Sequence, residues 1–450
     1  MLKKRAASFW LNAMFYTMLQ RVSLFVFGVF GYMILVRGFT TQMNGVWALY
    51  ITLFALFEIV KQGLLRNPTI RFLGMAEYHF KKDQVQSSSL FINTIFSLTV
   101  VAGIFLFGEW IAMWLNSPDL HILLAISSFN ILLLIPYTHC EILLQSQYRF
   151  EPLFTAAFIR QGIFFAGMAL LYFFMPESFT LVSVLAVQIT GVIVALVWLM
   201  RKTSPMLLHR FNYNSALTFR FFHFSKYTFG TNLFSGISRN FDHFLTASLL
   251  GPITGKTYVA YYNTVARIHN MIDVPSLAAA DVLFPKNVEA HENEGLEKVK
   301  YYFEQITGTI VAFIVPLSVI IFLLPRLIIV IVAGTEYYPA IPILQMTILF
   351  SMVRPLSYQF GSTLDAIGRP DINFIANALL MLFNFAVTYI MLVQFGAIGP
   401  AYAMIIYYVT SFTAMMILLK KYINIDVRNI LQIALQRYKD GWQLLKKLLP

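Results

Sequence analysis

The sequence predicts an all-α integral membrane protein of about twelve transmembrane helices in two six-helix lobes, and three observations carry that prediction. Hydrophobic residues make up 58% of the 450 residues and charged residues only 12%, too little polar surface for a soluble chain of this length. The apolar residues are gathered into blocks of roughly 20, long enough to cross a hydrocarbon core about 30 Å thick. Lysine and arginine are concentrated in alternate connecting segments, as the positive-inside rule requires.

Taken in order, the predicted spans lie at roughly 9–36, 42–65, 88–108, 120–145, 152–175, 178–200, 227–250, 258–284, 303–325, 341–366, 371–394 and 397–419. Unpaired backbone groups are not tolerated in lipid and the blocks are too long for barrel strands, so they read as helices. The first block follows Lys3, Lys4 and Arg5, as a secretory signal would. It also carries Asn12, Gln20 and Arg21, runs too long and shows no clear small-residue cleavage site, so it reads as a retained span. With the N-terminus cytoplasmic, the outer loops hold only Arg37, Lys256 and Arg326, and nearly all other loop cations fall inside. Both termini are therefore expected in the cytoplasm. The formal net charge of +12 lies mostly where anionic lipid heads are, so membrane lipids are the expected partners and no nucleic acid is called for. A single cysteine, Cys140, allows no intramolecular disulfide.

The polar break from Arg201 to Lys226 follows six spans. It divides the chain into an N-terminal lobe at 1–203, a cytoplasmic linker at 204–226, a C-terminal lobe at 227–421 and a basic tail at 422–450. Two six-helix bundles rocking about a central site is an arrangement known from transporters. In the tail, Val427, Ile430, Leu431, Ala434, Tyr438, Trp442, Leu445 and Leu449 recur at helical spacing beside Arg437, Lys439, Lys446 and Lys447. That pattern predicts an interfacial helix on the cytoplasmic leaflet.

Six cations fall inside or at the edges of spans: Arg21, Lys61, Arg160, Arg239, Arg267 and Arg354. A cation near the bilayer centre is costly, so each should face protein, a paired carboxylate or a wet cavity. Polar residues recur at helical spacing around several of them. Asn263, Arg267 and Asn270 form one stripe with Asp273 close by; Arg354, Tyr358 and Asp365 form a second; Asn373, Asn377 and Asn384 form a third. Asn12, Tyr16 and Gln20 share a face with Arg21 adjacent, and Glu58, Lys61 and Gln62 cluster in the second span. Interhelical hydrogen bonding competes with a ligand-binding role for all of these. The candidate substrate-binding residues are Arg21, Arg239, Arg267, Arg354, Gln20, Asn263, Asn270, Tyr358 and Asn377. Glu58, Asp242 and Asp273, with Glu141 as a further intramembrane carboxylate, are candidates for coupling to a proton or a sodium ion, and the sequence leaves open which.

Catalytic and cofactor signals fail. Gly251–Thr257 resembles a phosphate-binding loop but is one residue short between its glycines and lies on the side away from ATP. No paired-histidine or cysteine spacing suits zinc, and no G-x-S-x-G elbow occurs. No catalytic residue, metal or cofactor is expected.

Several ordered segments resemble those of a known family. They are N-G-V-W-A-L-Y at 44–50, Gly63 through Arg71, D-H-F-L-T-A-S-L-L-G at 242–251 followed by Tyr258, and L-F-P-K at 283–286. G-T-E-Y-Y-P-A at 334–340, D-A-I-G-R-P at 365–370 and G-A-I-G-P-A-Y-A at 396–403 complete the set. In this order the chain resembles the multidrug/oligosaccharidyl-lipid/polysaccharide (MOP) exporter superfamily, and within it the O-antigen and polysaccharide flippases. One departure is at Lys61 and Gln62, where many relatives carry an acid just before the glycine. The resemblance implies a MATE-like fold, with two six-helix lobes forming a V around a central cavity.

It also implies alternating-access flipping of an undecaprenyl-pyrophosphate-linked oligosaccharide from the cytoplasmic to the periplasmic leaflet of a bacterial inner membrane. A glycan polymerase and a chain-length regulator are the protein partners that go with such a role. A multidrug or cation antiporter of the same fold is the alternative, although the intramembrane arginines disfavour a cationic substrate. A lipid II flippase would carry two further spans, and a glycan polymerase or ligase a large outer loop.

Overall fold

The computed structural model describes the backbone of residues 2–74, 77, 80–147, 149–207 and 211–448, with side chains mainly between 15 and 440. Those of Arg239, Arg354 and Tyr358 lie outside the described residues. Every regular element described is helical. Contacts divide the chain into two compact units, 1–260 and 261–450.

Unit 1 contains α1 (Leu2–Gly38), α2 (Thr41–Gly74), α3 (Lys82–Trp114), α4 (Asp119–Ser146), α5 (Phe150–Phe174), α6 (Leu181–Thr203), α7 (Ser215–Leu249) and the start of α8 (Thr254–Asn293). Helix starts are set locally. Thr180 accepts from the backbone N–H of Ser183, whose hydroxyl in turn accepts from the Thr180 N–H, a reciprocal capping box that opens α6. Asn214 opens α7 by accepting from the Leu217 N–H. The expected linker at 204–226 is therefore helical from Ser215 onward, and α7 packs against α2 and α3 inside unit 1. Elsewhere in the unit α1 packs on α5, α5 on α6, and α4 on α2, α3 and α6. A continuous apolar core runs through these contacts, built around Trp47, Tyr50, Phe54, Phe57, Leu123, Ile131, Leu185 and Leu199.

Unit 2 holds the rest of α8, then α9 (Leu296–Leu323), α10 (Pro325–Ala333), α11 (Ile341–Ser351), α12 (Arg354–Ala366), α13 (Pro370–Phe395), α14 (Gly399–Ile423) and α15 (Val427–Leu448). The single span expected at 341–366 is broken at Met352 and Val353. Pro355 stands in the first turn of α12 and has no N–H to give the Ser351 carbonyl, so the hydrogen-bond ladder of a continuous helix is interrupted here. The α13–α14 pair packs together, α14 also meets α11 and α12, and α15 lies along α9.

Among the described residues, eight stretches are long and apolar enough to cross a membrane, and the last of them, Asp371–Ile423, covers both α13 and α14. The chain is a multi-pass, all-α membrane protein.

Candidate functional site

Unit 1 encloses a polar cleft of about 210 Å³, and four helices supply its wall. Each contributes residues at helical spacing: Gln20 and Leu24 on α1; Glu58, Lys61 and Gln62 on α2; Leu134, Tyr137, Thr138 and Glu141 on α4; Ala157, Arg160 and Gln161 on α5. Offsets of three, four and seven residues keep such side chains on one face, so each helix turns a single polar stripe inward. In a chain this apolar, polar stripes are costly unless they meet one another or a polar ligand.

The charges are arranged as a compensated set. The Arg160 guanidinium lies 3.7 Å from the Glu58 carboxylate, each side chain between a quarter and a third exposed. It also sits over the Tyr137 ring, 5.5 Å from its centre. Lys61 is buried; its ammonium donates to the Leu134 carbonyl at 2.8 Å and lies 5.5 Å from the centre of the Phe57 ring. The next carbonyl of α4, that of Ile135, takes a second side-chain donor, Asn93 Nδ2 at 3.1 Å. At Gly191 of α6 a Cβ would stand 2.6 Å from the Arg160 carbonyl, so only glycine allows α6 to seat this turn of α5. Two cations and two carboxylates thus share one cleft among neutral amides and hydroxyls. Chemically it can accept a polar ligand, and its arginine can engage an anion if Glu58 yields.

Of the residues predicted from sequence, Gln20, Glu58 and Glu141 line this cleft. Arg21, one position on, is exposed and is not among the lining residues, and neither is Asp242, half-buried on α7. The α8 stripe lies in unit 2: Asn263 and Arg267 are half-buried, Asn270 is exposed and Asp273 is buried. Asn377 is exposed and belongs to a ladder across α12 and α13. Its amide donates to Asn373 Oδ1 at 2.7 Å, and Asn373 donates to Asp365 Oδ1 at 2.9 Å. Arg160 and Lys61 enter the cleft without having been chosen as candidate site residues. Their signal was present, since both are charges inside predicted spans, but nothing on α2, α4 or α5 alone shows that they converge with Glu58 and Glu141. No group of three or more His, Cys, Asp or Glu positioned for a metal ion occurs among the described residues.

A family model described as "Polysaccharide biosynthesis protein" matches residues 34–342. A probable low-salt glycan biosynthesis flippase, Agl15 of Haloferax volcanii, is 21% identical over 254 residues, 56% of this chain and 51% of that protein. An uncharacterized membrane protein of Methanocaldococcus jannaschii is 26% identical over 159 residues, 35% of this chain and 31% of that protein. The chain thus spans about half the length, or less, of the curated relatives it matches. Among solved structures, the inward closed lipid II flippase MurJ aligns with TM-score 0.77 at 17% identity, covering 94% of this chain and 90% of that one. An inward-facing multidrug resistance MATE transporter of the MOP superfamily aligns with TM-score 0.76 at 13% identity, covering 92% and 98%. At these identities the likeness is one of fold.

Proposed function

The chain belongs to the polysaccharide biosynthesis protein family, and from that premise we propose that it is a flippase for a lipid-linked oligosaccharide. The substrate class is an undecaprenyl-pyrophosphate-linked glycan of an O-antigen, capsule or exopolysaccharide, carried from the cytoplasmic to the periplasmic leaflet of a bacterial inner membrane. The observation that carries this reading is the charged and amide-lined cleft inside a membrane bundle.

A sugar hydroxyl taken unpaired into alkane costs roughly 4–8 kcal/mol, so a glycan head does not cross bare lipid on a useful timescale. Side chains such as Gln20, Gln62, Thr138 and Gln161 replace lost water as hydrogen-bond partners. Arg160 is the group suited to a phosphate, because a guanidinium binds such oxygens through two parallel N–H bonds. Glu58 occupies it at rest at 3.7 Å and is the candidate coupling group. Its protonation, or the arrival of a phosphate, would free Arg160. Outward movement of a negative head is favoured by an inside-negative potential, by roughly 2.3 kcal/mol per uncompensated charge per 100 mV.

The MATE-like fold supports a second reading, export of an organic cation, and the Glu58 and Glu141 carboxylates are what favour it. Lys61 and Arg160 oppose it, because they leave the cleft without a net negative charge.

The test is transbilayer movement of a pyrophosphate-linked oligosaccharide in vesicles containing the purified protein, compared with Arg160→Gln. Movement above empty vesicles that falls at least tenfold in the variant, with a single cooperative melting transition retained, is the expected result. Movement unaffected by Arg160→Gln would remove Arg160 from substrate binding. No movement of any glycan, together with export of small organic cations, would replace the flippase reading with the antiporter.

A further inference from the structure

Over its described side chains, residues 427–440, helix α15 carries three different faces, and one of them is covered by the protein. Its start is fixed by a corner that leaves little freedom. Asn424 ends α14 in the left-handed conformation with φ 52°, Ile425 is buried, and Asp426 caps α15 by accepting from the Arg428 N–H at 2.9 Å. The buried Glu304 of α9 then holds the corner, accepting from the Asp426 N–H at 2.9 Å and from the Asn429 amide at 3.2 Å. One turn along, Gly308 brings the two helices together; a Cβ there would stand 2.7 Å from the Ile433 side chain and 2.9 Å from the Ile430 carbonyl. Arg437 completes the seam by donating to Thr309 at 3.2 Å and to Gln305 at 3.1 Å. The face bearing Ile430, Ile433, Ala434 and Arg437 is thereby committed to α9.

A second face, rotated by about 100° on a 3.6-residue helix, carries Val427, Leu431, Leu435 and Tyr438. These are 46%, 53%, 60% and 40% exposed, large apolar side chains in one unbroken row. The third face is polar and basic, with Arg428, Gln432, Gln436 and Lys439, all exposed. An amphipathic helix that already has a protein partner needs no second apolar row. Covering this row with water would cost about 25 cal/mol for every Å² exposed.

We propose that the second face of α15 inserts into the surface of the bilayer and that its flanking cations bind anionic phospholipid headgroups. The occupant follows from position and charge. α15 begins four residues after α14, whose last turn carries Lys420 and Lys421, so the row starts at the end of a membrane-crossing segment. Arg428 and Lys439 border the row on the side away from α9, where phosphates of a lipid leaflet would lie. Docking by Glu304 and Gly308 makes α15 a fixed part of unit 2 rather than a trailing anchor. Anionic lipid at this face therefore bears directly on α9. The inference does not depend on which substrate the protein carries.

The test is a nitroxide scan in the full chain, with Cys140→Ser as the background, reconstituted in vesicles of phosphatidylcholine with and without phosphatidylglycerol. Labels at Leu431→Cys and Leu435→Cys are expected to collide severalfold more with oxygen than with a water-soluble nickel chelate. Labels at Gln432→Cys and Gln436→Cys should show the reverse, and a label at Ile433→Cys should be shielded from both. Phosphatidylglycerol should deepen the Leu435 label, and Arg428→Gln with Lys439→Gln should abolish that difference. Labels at 431 and 435 as open to nickel as those at 436 would overturn the proposal. Labels shielded from both reagents would overturn it in favour of a protein partner, a second copy of this chain included. An equal depth in the two lipids would overturn the anionic part.

Discussion

Arg160 stands between two roles, and its surroundings say how each would be separated. It is held by Glu58 at 3.7 Å and by the face of Tyr137, and its backbone is seated against Gly191. Truncating one member of a buried pair strands the other charge, which costs about 3–5 kcal/mol when burial is complete. Both groups here keep access to water, so Arg160→Ala should cost less, about 1–2 kcal/mol, read as a lowered melting temperature in detergent. The exchange Glu58→Arg with Arg160→Glu restores an ion pair across α2 and α5 and should recover most of that stability. It should not recover transport, because the guanidinium then hangs from the wrong helix. Recovery of both would make the pair purely structural. Gly191→Ala is the complementary change. It leaves every cleft side chain in place yet puts a methyl group 2.6 Å from the Arg160 carbonyl. We expect it to cost about 1–3 kcal/mol, as overpacking does, and to lower transport with the charges intact.

At the scale of elements, the contact between α9 and α15 concentrates on few residues, and Glu304 is the principal one. It caps α15 from outside the helix, satisfying the Asp426 N–H and the Asn429 amide while itself buried. Hydrogen bonds to a charged group contribute about 1.5–3 kcal/mol each. Glu304→Ala should therefore loosen α15, raising amide exchange across 427–437 by at least tenfold while exchange in α13 and α14 stays unchanged. Glu304→Gln keeps one of the two acceptor oxygens and should show a smaller rise. Exchange that is uniform across unit 2 would mean that the residue supports the whole unit instead.

The elements also mark what could and could not be read from the chain. The helical tail was legible because Val427, Ile430, Leu431, Ala434 and Tyr438 repeat at helical spacing. Its division into a docked face and an open face was not, since Ile430 and Leu431 are equally apolar and only α9 distinguishes them. Glu58, Lys61 and Gln62 announced one wall of the cleft by sharing a face of α2. Arg160 and Glu141 lie on helices whose approach to α2 is a matter of packing, so their convergence has no local signature. The break at Met352 and Val353 had a local cause in Pro355, and composition changes across it, from the apolar α11 to an α12 that carries Gln359, Thr363 and Asp365; the single span expected at 341–366 ran the two together.

For the whole molecule the open quantity is how many times the chain crosses. Length and hydropathy pick out α1 to α6, α9, α13 and α14. They pass over α7 and α8, which are 35 and 40 residues long, and the broken pair α11 and α12. A crossing of the bilayer needs about 20 residues, so α7 and α8 have length to spare and lack only apolar composition. That shortfall is what a helix facing protein should show. The Thr218 and Ser225 hydroxyls of α7, both buried, meet Ser88 and the Phe221 carbonyl rather than lipid. Counting α7, α8 and the α11–α12 pair as one crossing each gives twelve and places both termini on one side of the membrane. Charge then predicts the side, since Arg201, Lys202 and Arg220 flank the entry to α7 and Lys298 and Lys300 follow α8, while the turn that joins the two is followed by a single cation, Lys256 in the first turn of α8. Single cysteines at Asn212, Ile253 and Glu294, tested with a membrane-impermeant thiol reagent in intact cells, should react only at Ile253→Cys. Reaction at Asn212→Cys would reverse the orientation. Absence of reaction at Ile253→Cys in intact cells, with full reaction once they are opened, would remove α7 and α8 as crossings and leave ten.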